Sequence, residues 1–208
     1  MKTSRPYRMT ARLDAVAATR RRILEAVRDI AYERLEFEPT LDAVATRADV
    51  SVQTVLRHFT TREALLSAAR EWARDEIVAE RRPPGRDVTE ALSTLLEHYE
   101  LRGDFVLAML ARETANETVA EATTAGRREH RVWVEQVFEE RLPRDLEERA
   151  ALVDLLVVAT DVYAWKLLRR DRQLSVETVR DRMRRMTDAL LADSPRRTQP
   201  NPEKGTKS

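Results

Sequence analysis

The sequence predicts an all-α fold in two parts, a small N-terminal three-helix unit followed by a larger C-terminal helical one. Three observations predict it. Apolar residues recur three and four positions apart through most of the 208 residues. Glycine occurs only four times, too few for the turns and phosphate loops of an all-β or dinucleotide-binding chain of this length. The eight prolines, at 6, 39, 83, 84, 143, 195, 200 and 202, fall between the periodic segments.

The elements follow in order. Residues 1–13 form a basic N-terminal arm. A first helix is expected from Asp14 to Leu35, with Ile23, Val27, Ile30 and Ala31 as its buried stripe. Glu36 to Pro39 ends it. Thr40 caps a short second helix whose inner face is Leu41, Val44, Ala45 and Ala48. Asp49-Val50 is a turn, and Ser51 caps a third helix ending near Phe59. Thr60 and Glu63 have capping-box spacing, so a fourth helix is expected from there to Arg81. Arg82-Pro83-Pro84-Gly85 is the clearest break, and it divides a domain at 14–82 from one at 83–193. Beyond it, Asp87 and Glu90 open a helix to Leu101, Arg102-Gly103 reads as a turn, and Asp104 caps the next helix. Helical pattern runs from Glu117 to Arg141, with a kink expected near Gly126. Asp145 caps a long helix to Arg169, and Ser175 caps a last one to Ala192. Residues 194–208 have the composition of a disordered tail.

Composition bounds the function classes. Charged residues make up 35% of the chain, but the net charge is only +1. The charge is unevenly placed: residues 1–22 hold seven basic groups against the single acid Asp14. A basic front end on a near-neutral chain suits either a contact with phosphates or a solvated tail. Cysteine is absent, which excludes disulfides, thiolate metal sites and cysteine nucleophiles and points to a cytoplasmic setting. The N-terminus lacks an apolar signal core, and the most apolar stretch, 152–168, is interrupted by Asp154, Asp161 and Lys166. His98 and His130 lack partners with metal-ligand spacing, and no cofactor or metal is expected.

Residues 40–59 read TLDAVATRADVSVQTVLRHF. Two short helices joined by a tight turn, with small Ala45 where they cross, have helix-turn-helix spacing. At about 100° per residue, Val55 and Phe59 of the third helix point together to the core. Gln53 and Arg57 point the other way, flanked by Thr54 and Leu56. Such a pair can be two solvated side chains, or it can read base edges. Glutamine bonds adenine N6 and N7, and arginine bonds guanine O6 and N7.

Residues 14–75 resemble the N-terminal domain of the TetR family of bacterial transcriptional regulators. The resemblance is carried by Val50, Ser51, Thr54, His58, Phe59, Arg62, Glu63 and Leu65. Two positions depart from the family pattern: Asp49 stands where glycine is usual, and Leu56 where tyrosine is common. Aspartate tolerates a left-handed turn better than most residues. Leucine cannot bond a phosphate, but it can pack on a thymine methyl. The resemblance implies that Ser51, Val52, Gln53, Thr54, Leu56, Arg57 and His58 meet duplex DNA. It also implies that Thr40 and Arg62 anchor phosphates, and that Arg8 and Arg12 of the arm add contacts.

For the second domain the resemblance implies regulation by a small-molecule effector and dimerisation through the last two helices. Leu152, Leu155, Leu156, Ala159 and Val162 on one, and Val179, Met183, Met186 and Leu190 on the other, are the expected packing residues. A ligand pocket would draw on Leu95, Tyr99, Phe105, Met109, Trp133, Val137, Phe138 and Asp161, residues that can equally be plain core. The resulting expectation is a cytoplasmic, ligand-responsive repressor binding a palindromic operator as a homodimer. The alternatives are a helical protein-interaction module and, more remotely, an enzyme. No phosphate loop, HExxH, GxSxG or other catalytic spacing is present.

Overall fold

A computed structural model describes residues 5–82 and 87–193, with side chains described from residue 12 onward. All regular structure among the described residues is helical. The chain divides into two compact units between Glu80 and Arg81.

The first unit holds α1 (Arg5–Arg34), α2 (Leu41–Arg47), α3 (Val52–Phe59) and α4 (Arg62–Glu80). The expected arm is thus helical from Arg5 onward, and α1 begins nine residues before the predicted Asp14. Residues 1–4 lie outside the described residues. Ile23, Val27 and Ile30 of α1 bury against Val44 and Ala45 of α2, Val55 and Phe59 of α3, and Leu65, Leu66 and Ala69 of α4. Charged residues tie the same helices at the rim. Arg28 bonds Asp29 and, from α1 to α4, Glu76, and its guanidinium lies 5.2 Å from the centre of the Trp72 ring. Arg47 of α2 bonds Glu33.

The second unit holds α5 (Val88–Leu110), α6 (Glu117–Phe138), α7 (Leu146–Thr160), α8 (Val162–Lys166) and α9 (Val176–Asp193). Here α5 packs against α6, α8 and α9, while α7 packs against α6 and α9. Leu95, Leu96, Val134, Phe138, Leu156 and Trp165 form the centre of this core, each at 1% exposure or less. Three of the predicted caps are in place, while Asp104, expected to cap a helix, lies inside α5. Asp87, Asp145 and Ser175 each accept a backbone N–H of the first turn, as does Asn116 at the start of α6. α6 runs without interruption through Gly126, and a tight 3-10 turn, Glu139–Arg141, follows it.

Three sequence expectations are corrected. The turn at Arg102-Gly103 is absent, because α5 runs straight through it. A helical glycine costs about 1 kcal/mol relative to alanine. Here it makes room, since a Cβ at Gly103 would fall 2.5 Å from Cη2 of Trp165. The single helix expected from Asp145 to Arg169 is broken at Asp161, whose backbone is extended and whose carboxylate caps α8 by accepting the Tyr163 N–H at 2.8 Å. A π-helical turn, Leu167–Asp171, follows α8. Finally, Thr61 rather than Thr60 caps α4, accepting the Ala64 N–H. Thr60 instead ends α3 at φ 67°, ψ −50°, with the Thr61 N–H bonded to the Phe59 carbonyl at 2.7 Å. This is a γ-turn of the rare hand, uncommon for a β-branched residue.

Candidate nucleic-acid interface

The turn between α2 and α3 is built from backbone bonds. The Val50 N–H donates to the Ala45 carbonyl at 3.0 Å, and the Asp49 N–H donates to the Thr46 carbonyl at 3.3 Å. This is a Schellman closure, which needs a left-handed residue just past the helix. Asp49 takes that role at φ 53°. Ser51 then starts α3. Its Oγ accepts the Thr54 N–H at 3.1 Å and lies 3.0 Å from the Thr54 hydroxyl. Thr40 Oγ1 does the same for α2, accepting the Ala43 N–H at 3.2 Å.

These bonds fix which face of α3 is outward. Val55 and Phe59 are buried, and Gln53, Leu56 and Arg57 are exposed. Together with Ser51 and Thr54 they line one surface depression of about 460 Å³. Val52, Thr54 and His58 on the same helix are half-buried. Burial, then the neighbouring charges of Arg57 and Arg20, lowers the His58 pKa below its ordinary value. The cations expected at phosphates have these surroundings. Arg62 turns back on the loop before α2 and donates to the carbonyls of Pro39 at 3.1 Å and Glu38 at 2.6 Å. Arg12 is exposed on α1, while the side chain of Arg8 lies outside the described residues.

Sequence reading missed the arginines that hold this frame. Arg20 and Arg28 reach partners 38 and 48 residues away, and no local spacing signals such pairs.

The residues named for the second unit divide by burial. Leu152, Leu156, Ala159, Val162, Val179 and Met183 are buried within the chain's own core. Leu155 and Met186 are exposed, Leu190 is half-buried, and Val158, not named from sequence, is 69% exposed. Of the pocket candidates, Leu95, Tyr99, Trp133 and Phe138 are buried, and Phe105, Met109 and Val137 are half-buried.

A buried polar chain runs beside these aromatics. Arg81 Nη2 donates to His130 Nδ1 at 2.6 Å, and the His130 ring stacks on Trp133 at 5.7 Å. Guanidinium can only donate, so the imidazole proton sits on Nε2 and faces the Thr160 hydroxyl at 3.1 Å. That hydroxyl donates to the Leu156 carbonyl at 2.7 Å, and the Tyr99 hydroxyl donates to the Thr160 carbonyl at 2.9 Å. Burial, with the Arg81 charge beside it, pushes the His130 pKa from 6.5 down to about 3. The unfolded chain therefore binds a proton near pH 6.5 that the folded chain refuses. Stability is fully present above that pH and declines as pH falls toward about 3, by up to roughly 1.4 kcal/mol per pH unit from this group. Denaturation of wild type and His130→Gln across this range checks it: the wild-type slope should exceed that of the variant.

Among the described residues, no cluster of three or more His, Asp or Glu could hold a metal ion, and no helix is long and apolar enough to cross a membrane. No protein-family model matches the chain, and no curated protein is significantly similar to it. Solved structures do share the fold. A transcriptional regulator from Rhodococcus sp. Rha1 matches with a TM-score of 0.61 at 21% identity, over 83% of this chain and 96% of its own. A protein described as a transcriptional regulator from Pseudomonas aeruginosa PAO1 matches at 0.60 and 17% identity, over 84% and 90%. One described as a TetR-family transcriptional regulator from a Rhodococcus species matches at 0.58 and 19% identity, over 84% and 99%. The chain has the fold of these regulators over nearly their whole length: an N-terminal helix-turn-helix unit and a C-terminal helical one.

Proposed function

We propose that this protein is a TetR-type transcriptional regulator that binds duplex DNA through α3 in the cytoplasm. The observation that carries the reading is the outward Gln53–Leu56–Arg57 face of α3, braced by α2 through a closed turn. A helix presented in this way fits the major groove, and its side chains carry base-reading chemistry. The regulator fold of the solved structures supports the same role.

The finer reading is a homodimeric repressor on a palindromic operator, released when a small molecule binds the second unit. Leu155 and Val158 on α7, with Met186 on the neighbouring α9, support a two-fold contact, because these apolar side chains are exposed outside the core. An effector would favour one arrangement of the second unit and so change the population able to span two half-sites. Selection of duplexes from a random-sequence pool should return a sequence with two-fold symmetry. Light scattering at micromolar concentration should give twice the chain mass. Val158→Asp should keep the helical content and give the monomer mass, since an exposed position tolerates charge in the protomer but not in an apolar contact. A wild-type monomer would refute the dimer.

A further inference from the structure

Arg20 belongs to the basic cluster at the front of the chain, where sequence alone suggests a phosphate contact. Its placement is different. The guanidinium carbon lies 4.2 Å from the centre of the Phe59 ring, and Nη1 donates to the His58 carbonyl at 3.1 Å. Both partners are the last two residues of α3.

We propose that Arg20 is a positioning residue for base readout: it sets the rotation and axial position of α3 rather than neutralising a phosphate. The inference rests on the DNA-binding reading above. An eight-residue helix has four carbonyls at its C-terminal end without intrahelical partners. Leu56 and Phe59 give theirs to the Thr60 and Thr61 N–H groups of the tight turn. Arg20 takes that of His58, and its positive charge lies at the negative end of the helix dipole. The stacked ring adds a second constraint. Phe59 is buried on the side of α3 roughly opposite Arg57, so a planar cation held over its face resists rolling of the helix. A roll of α3 would move Gln53 and Arg57 across the base edges together, while phosphate contacts made elsewhere would persist.

The test uses full-length protein and a duplex selected by wild type from a random-sequence library, beside an unrelated duplex, over a range of salt concentrations. Arg20→Ala should bind the selected duplex about tenfold more weakly, and the unrelated duplex with little change. The slope of log K against log salt should stay at the wild-type value, because no phosphate contact is lost. Arg20→Lys keeps the charge but not the planar stack, and should remain impaired. Circular dichroism checks that each variant is folded. A slope reduced by about one with both duplexes weakened alike, or full recovery in Arg20→Lys, would overturn the proposal. Wild-type affinity in Arg20→Ala would do so too. Failure of wild type itself to bind duplex DNA would instead remove the reading on which it rests.

Discussion

Replacing Trp165 with alanine is expected to lower the stability of the C-terminal unit by about 3–5 kcal/mol, the range for deleting a fully buried indole. Trp165 has 0% exposure. Its Nε1 donates to Glu100 at 2.8 Å, its ring lies 5.9 Å from that of Tyr99, and the Arg170 guanidinium sits 4.5 Å from its centre. Arg169 bonds the same Glu100, and Arg170 pairs with Asp104, so the short α8 and its π-helical turn are fastened to α5 around this one side chain. Gly103 is the other half of the contact. Gly103→Ala should cost about 1–3 kcal/mol by overpacking, despite the better helix propensity of alanine. Combined with Trp165→Phe, whose smaller ring vacates the site, the alanine should cost measurably less than it does alone. Urea denaturation of the two single variants and the double variant reads this coupling. Strict additivity would contradict the packing assignment.

Arg57→Ala is expected to weaken binding to a selected operator by about 1–3 kcal/mol and to relax the base preference at one position per half-site. Affinity for unrelated DNA should fall much less. Arg57 is exposed on α3 one turn from Gln53, and the core depends on Val55 and Phe59 instead, so the variant should fold as wild type does. Competition binding against operators altered one base pair at a time locates the relaxed position. Undiminished affinity and selectivity would remove Arg57 from the reading face.

The legibility of this chain in its sequence follows the range of the interactions. The outward face of α3 and its supports were legible because they are local. Thr40, Ser51, Asp87, Asp145 and Ser175 cap helices that begin one residue later, and the period of 3.6 sorts Val55 and Phe59 from Gln53 and Arg57. The errors arose where a distant partner or an unforeseen helix break overrode the local pattern. Gly103 reads as a turn until Trp165, 62 positions later, is placed against it. Asp161 lies in an apolar run that reads as one continuous helix, yet its extended backbone ends α7 and its carboxylate caps α8. The bonds of Arg62 to carbonyls 23 and 24 residues back likewise have no local signal. The burial of Leu156 and Met183, beside the exposure of Leu155 and Met186, depends on how α7 and α9 meet. Neither helix carries that information alone.

The central claim is that the Gln53–Leu56–Arg57 face of α3 reads duplex DNA. The most direct measurement is a titration of wild type and the Gln53→Ala/Arg57→Ala double variant against a selected and an unrelated duplex, over a series of salt concentrations. The account predicts a linear fall of log K with log salt for wild type and a preference for the selected duplex of roughly a thousandfold or more. The double variant should lose most of that preference while keeping nearly the same salt dependence on unrelated DNA. Binding that is indifferent to salt and sequence, or a double variant as selective as wild type, would contradict it.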